Sequence, residues 1–276
     1  MTPSLLLLTD FFQAANRALD YATSLAGTLH ARLVLLHVRR DSILDPEMFT
    51  GQLSNLSQEA IRLALSRVAG NLAVPVVAEV GHGRVAFAVA DAVTRHHPAL
   101  VVLGRPDYSA TPDELVHTTS LDILRAAPYP MLVVPHSVAS VAPPKRVLLA
   151  VDGEEFSLGD HAGAARQLLA ALGTELTVLH LPPAATPDAA ADEAAARALD
   201  AVLQTGLTLD LPTVRTRSVT HDQPAEAIVQ AARPTEFDLL VLVARRRSFL
   251  GSLFHRSVTA QVLLHSEVPV LVLPAQ

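Results

Sequence analysis

The strongest constraint on this chain is that it says nearly the same thing twice. The block "LLLLTD" (5–10) returns as "VLLAVD" (147–152), and "ARLVLLHV" (31–38) returns as "TELTVLHL" (174–181). Further on, "ALVVLG" (99–104) answers to "DLLVLV" (238–243), and "YPMLVVP" (129–135) to "VPVLVLP" (268–274). The offsets are 142 for Asp10 to Asp152, 143 for His37 to His180 and 139 for Pro130 to Pro269. Four blocks in one order at nearly constant spacing identify a tandem duplication. The chain must therefore fold as two copies of one unit.

Within the first copy, short apolar runs predict strands near 4–9, 32–38, 74–80, 100–104 and 131–135. Between the first two, Ala14, Ala18, Tyr21, Ala22 and Leu25 recur at helical intervals, and 56–70, 84–96 and 113–126 read similarly. The runs are continuous rather than alternating, which indicates strands covered on both faces of a parallel sheet. The fold class is α/β, two doubly wound domains, each with helices on both faces of its sheet. The proline-containing stretch "HSVASVAPPKR" (136–146) interrupts the pattern, so the domains are set at 1–138 and 146–276 with a linker at 139–145. A second irregular stretch, "PPAATPDAAADEAAAR" (182–197), begins as a loop and becomes a helix.

Composition excludes several function classes. Half of the residues are apolar and 17% are charged, giving ample material for a core. The net charge of −6 gives no support to non-specific nucleic-acid binding. With no cysteine there is neither a disulfide framework nor thiolate chemistry. The run of four leucines near the N-terminus is too short for a signal segment or a membrane span, so a cytoplasmic protein is expected. The helical stretch "AAARALDAVL" (194–203) lacks the basic polar face that membrane binding needs.

In an open parallel sheet, ligands bind beyond the carboxyl ends of the strands. Asp10 and Asp152 end the first strand of each copy, and His37 and His180 stand at the end of the second. After the third comes "GHGRVA" (81–86), and after the fourth "GRPD" (104–107) or "VARR" (243–246). Although "GHGRVA" matches a dinucleotide fingerprint, its counterpart "THDQPA" (220–225) has no glycine, and it is read as a tight strand-to-helix turn.

Asp at the end of the first strand, "LLHV" in the second, and "PYPMLVVP" or "VPVLVLP" at the close together resemble the universal stress protein family over essentially the whole chain. The resemblance implies a five-stranded parallel sheet per domain, of the adenine nucleotide alpha hydrolase-like kind. It also implies an ATP motif, G-x-x-G, nine residues, then G-[ST], whose glycines let backbone N–H groups close on phosphates beside a helix N-terminus. The motif positions fall on Gly104, Asp107, His117 and Thr118 in the first copy, and on Val243, Arg246, Arg256 and Ser257 in the second. One glycine remains in the first copy and none in the second. Asp107 places a carboxylate where polyphosphate would approach, and Val243 with two arginines crowds the backbone cradle.

By the same resemblance Asp10 and Asp152 lie near an adenine. The binding candidates are thus Asp10, His37, Gly104, Thr118, Asp152, His180, Arg246, Arg256 and Ser257, with ATP or AMP as the ligand to be tested. Arg245, Arg246, Arg247 and Arg256 form either an anion site or a solvated run flanked by Phe249, Leu250 and Phe254.

Twelve histidines invite a metal reading, but they are scattered and carry no H-E-x-x-H spacing. "HH" at 96–97 closes a helix, where a positive imidazole complements the dipole. No nucleophile elbow, Walker lysine or nucleophilic cysteine is present, so no catalytic residue is assigned. Three functions follow in order: a stress-response or signalling scaffold without catalysis, a nucleotide-dependent switch, and a weak ATP hydrolase. The resemblance also implies pairing of the halves through their last strands, Met131–Val134 with Val270–Leu273. A homodimer and an unidentified protein partner stay open.

Overall fold

The computed structural model describes residues 2–39, 57–107, 119–126, 129–182, 188–220, 222–245 and 257–275. In the first half the elements are β1 (Ser4–Leu8), α1 (Gln13–Thr28), β2 (Arg32–Arg39), α2 (Gln58–Gly70), β3 (Val76–His82), α3 (Val85–His96), β4 (Leu100–Arg105), α4 (Thr119–Ala126) and β5 (Met131–Pro135). The second half gives β6 (Arg146–Val151), a 3-10 turn (Gly159–His161), α5 (Ala162–Leu172), β7 (Glu175–His180), α6 (Asp188–Gln204), β8 (Thr213–Ser218), α7 (Pro224–Ala231), β9 (Leu239–Arg245), α8 (Val258–His265) and β10 (Val270–Ala275). All five strand expectations of the first copy are met, the third displaced two residues along the chain. The helix expected over 113–126 is seen from Thr119; its earlier residues lie outside the described ones.

Two parallel sheets of five strands join into one sheet of ten, in the order β3-β2-β1-β4-β5-β10-β9-β6-β7-β8. The join is antiparallel, with Met131, Leu132 and Val133 opposite Val272, Leu271 and Val270. These are the strands expected to pair. Because the seam reverses direction, the carboxyl ends of the strands in the two halves lie on opposite edges of the sheet.

Alternation along each strand builds two apolar layers that run across both halves. Leu5, Leu7, Leu149 and Leu271 face one layer with Tyr21, Leu25, Ile61 and Leu169. Leu6, Leu148 and Val270 face the other with Val89, Leu121, Ile228 and Leu263. Hence α1, α2, α5 and α6 cover one face, and α3, α4, α7 and α8 the other. Each fully buried leucine contributes about 2 kcal/mol relative to an exposed one, so this shared core binds the halves together.

Polar contacts anchor the chain on either side of the connection between the halves. Arg17 of α1 donates to the carbonyls of Val138 and Ala139, at 2.9 Å and 3.0 Å, pinning the chain as it leaves β5. Asp238 accepts from the backbone N–H groups of Lys145 and Arg146 at 3.0 Å and 2.9 Å and pairs with the Arg146 guanidinium, seating the start of β6 beside β9. Burial works against that carboxylate, yet these bonds hold its pKa below the usual range. Among the described residues no helix is long and apolar enough to cross a membrane.

Candidate functional site

The first-half candidates gather around the turn from β1 into α1. Asp10 Oδ1 accepts the backbone N–H of Phe12 at 2.9 Å, and Thr9 Oγ1 accepts that of Phe11 at 3.3 Å. These side-chain turns bend the chain sharply into the helix. The bend sets Phe11 at φ 67°, a left-handed conformation that costs a bulky residue about 1 kcal/mol or more. Its ring is thereby laid on His37, with centroids 4.9 Å apart and planes 25° from parallel. Nδ1 of His37 lies 2.9 Å from the Thr9 carbonyl, an acceptor, so Nδ1 carries the proton. Burial lowers the His37 pKa, opposed by the Thr9 bond and by Asp10.

Gly104 meets the same turn from β4. A Cβ at this position would overlap the carbonyl carbon and oxygen of Ala14, in the first turn of α1. The glycine is thus accounted for by helix-to-strand packing.

The second half uses the same turn with different residues. Asp152 Oδ1 accepts the N–H of Glu154 at 3.1 Å, matching Asp10, and Gly153 stands where the first half has Phe11, at φ +79°. Without a ring to stack, the backbone itself comes close: a Cβ on Gly153 would sit 3.3 Å from Cε1 of His180. Val151 replaces Thr9 in sequence, and among the described residues the buried Nδ1 of His180 has no hydrogen-bond partner. Burial, then Arg197, lower the His180 pKa, while Asp152 opposes them.

Arg245, the last residue of β9, closes this site. Its Nη2 lies 2.9 Å from Asp152 Oδ1 and 3.1 Å from the Glu154 carbonyl, and its Nη1 is 3.1 Å from the Glu155 carbonyl. The Glu154 carboxylate adds a second ion pair at 3.2 Å, and the arginine side chain is only 16% exposed. Its counterpart in the first half is Pro106, which has no charge to offer. The reading of Arg245 as part of a solvated run is therefore corrected. A guanidinium held by two carboxylates and two carbonyls has little positive field left for an anion.

Val243 takes the place of Gly104 and packs, half-buried, against the core. The helix beside it begins later: α1 starts three residues after Asp10, whereas α5 starts ten after Asp152, with the 3-10 turn between. A branched side chain fits where the helix start has withdrawn from the strand. Ser257 caps α8, its Oγ accepting the N–H of Ala260 at 3.1 Å, so its hydroxyl serves the helix. Thr118, Arg246 and Arg256 lie outside the described residues.

Asp10, His37 and Gly104 thus converge on one turn, and Asp152 and His180 on its counterpart at the opposite sheet edge. Phe11 and Gly153 were missed as site residues, and Arg245 was read only as part of an anion site or a solvated run, not as the partner of Asp152. The repeat itself carried the signal, since alignment sets Phe11 against Gly153 and Pro106 against Arg245. "GHGRVA" is a strand-to-helix turn as expected, with Gly83 at φ +84° between β3 and α3. "HH" closes α3, and His96 turns to Glu79 at 3.1 Å, alongside Arg95 at 2.6 Å. Among the described residues no group of three or more His, Cys, Asp or Glu is placed to hold a metal.

Comparison with known proteins agrees with the repeat. The model of the universal stress protein family matches residues 1–135 and again residues 143–274. A universal stress protein from Archaeoglobus fulgidus superposes with a TM-score of 0.71 at 18% identity, covering 98% of each chain. A putative universal stress protein from Pseudomonas aeruginosa gives 0.59 at 16% identity, covering 99% of this chain and 94% of its own. Among curated proteins none matches.

Proposed function

Because the chain belongs to the universal stress protein family, we propose that it is a stress-response or signalling scaffold, without catalysis and with ATP binding lost or weakened in both halves. The observation that carries this reading is the Arg245 contact to Asp152 and to the Glu154 and Glu155 carbonyls. The carboxylate that the family resemblance sets beside an adenine already has an internal partner. In the first half the support is different: Phe11 covers His37, and the remaining motif glycine presses on the Ala14 backbone.

A second reading keeps an adenine nucleotide or AMP-like ligand in the first half. It is favoured by one feature: Asp10 is exposed, and among the described residues no cation is paired with it. Weak ATP hydrolysis ranks last, because no described residue supplies a nucleophile–base pair. The units of this scaffold are 1–138 and 146–276, joined by 139–145, and the partner it serves is a protein, with self-association into a homodimer still open.

The test is mass spectrometry of the supernatant from purified, heat-denatured protein, quantified against protein. The scaffold reading expects no stoichiometric nucleotide. One adenine nucleotide per chain would replace it with the switch.

A further inference from the structure

The two candidate sites lie on opposite edges of the sheet, and one short helix runs from the edge of the second toward the edge of the first. Helix α8 starts at the Ser257 cap in the second half and ends at His265, eight residues later. Since the halves meet antiparallel, its C-terminus lies at the edge where β4 of the first half ends. There Arg105, the last residue of β4, crosses the seam. It donates one guanidinium N–H to the Leu264 carbonyl and another to the Ser266 carbonyl, the latter at 2.6 Å. These are the carbonyls a helix leaves without intrahelical partners, and a cation there also complements the helix dipole.

Arg105 is itself held firmly. Its carbonyl accepts the N–H of His136 at 2.9 Å, and its neighbour Gly104 rests on the first turn of α1. At the other end of α8, Ser257 accepts twice: Oγ from Ala260 N and the carbonyl from Gln261 N, both at 3.1 Å. Between the ends, Thr259, Ala260, Val262, Leu263 and Leu264 are buried. A helix so short, capped by its own serine, packed along its length and gripped at its C-terminus, shifts as one body rather than bending.

We infer that α8 is a strut coupling the two halves, through which Arg105 at the end of β4 and the Ser257 cap at the start of α8 report on one another. The device is one-sided. At the position of Arg105 the second half has Ala244, which cannot reach α4 in return. A ligand or protein that moves the Gly104–Asp107 strand end changes the grip on α8 and, with it, the cap at Ser257. Thermodynamic linkage makes the effect reciprocal even though the contact is not. The coupling is independent of whether either site binds a nucleotide.

Hydrogen–deuterium exchange on the full chain tests it, read at three places: the amides of Ala260 and Gln261, the end of α8, and the end of β4. In Arg105→Ala, Ala260 and Gln261 should exchange about tenfold faster, while β1 and β6 keep their protection. Acceleration confined to residues 264–267 would overturn the strut. Arg105→Lys keeps the charge but loses the fork that spans two carbonyls, and should fall between wild type and Arg105→Ala. Should both variants lose protection throughout, Ser257→Ala decides from the other end. Faster exchange at 102–105 then supports coupling, and unchanged exchange there contradicts it.

Discussion

At the strand ends of the first half a phenyl ring lies on a buried histidine; at those of the second a guanidinium lies on an aspartate. Both halves keep the same scaffold for this, a carboxylate-capped turn after the first strand and a histidine at the second. From there they have diverged by different chemistry. In the first half Phe11 accepts a left-handed backbone, stacks on His37, and leaves Asp10 without a cation among the described residues. In the second half Gly153 takes that backbone without strain, His180 Nδ1 finds no partner among the described residues, and Arg245 pairs with Asp152. The lesson is that one fold can satisfy the same turn by packing in one half and by charge in the other. Gly104 admits a close helix; Val243 goes with a helix that starts later.

The comparison is broken most sharply by exchanging those two residues. Gly104→Val forces a branched side chain into the Ala14 backbone and should cost about 3 kcal/mol or more, measured by urea unfolding. Val243→Gly, in a looser setting, should cost about 2 kcal/mol from lost methyls and added chain freedom. A smaller loss for Gly104→Val than for Val243→Gly would show that the helix start is not set by this contact.

The turn residues come next. Gly153→Ala brings a Cβ against His180 at a left-handed φ and should destabilise by about 1–2 kcal/mol. Phe11→Gly loses a ring stack but relieves strain, leaving a net change within about 1 kcal/mol. Arg245→Ala leaves the Asp152 carboxylate without its cation and should cost about 1–2 kcal/mol, while Pro106→Ala in the first half should be near neutral.

The smallest effect is the response to pH. His37 and His180 are both depressed by burial, so the unfolded chain binds protons on them at a higher pH than the folded one. Their stabilising contribution is complete above the ordinary histidine value of about 6.5 and is lost as pH falls toward the lower folded values. Replacing either by Gln should flatten the unfolding free energy against pH between about 7 and 5. An unchanged slope in both variants would mean that other groups carry the acid response.

Much of the architecture was legible because it rests on local pattern. Continuous runs such as "LLLL" and "MLVV" can be satisfied only between two covered faces, and the repeat forces the same answer twice. The edge-to-edge pairing of β5 with β10 followed from family resemblance rather than from pattern, since nothing in "VLVL" distinguishes a seam from an interior strand. The site was half legible. Asp10, Asp152, His37 and His180 were visible as repeat-equivalent polar residues at strand ends. The contact between Arg245 and Asp152 was not, because it joins residues 93 apart and depends on where a strand end points. Gly104 illustrates the other gap. A surviving glycine reads as part of a phosphate loop until the neighbouring helix shows what a Cβ would strike.

The central proposal, that ATP binding is lost or weakened in both halves, is tested most directly by calorimetric titration of the full chain with ATP and with AMP. The account predicts no saturable binding up to about 1 mM for either nucleotide. Saturable binding at micromolar concentration, with one or two nucleotides per chain, would contradict it.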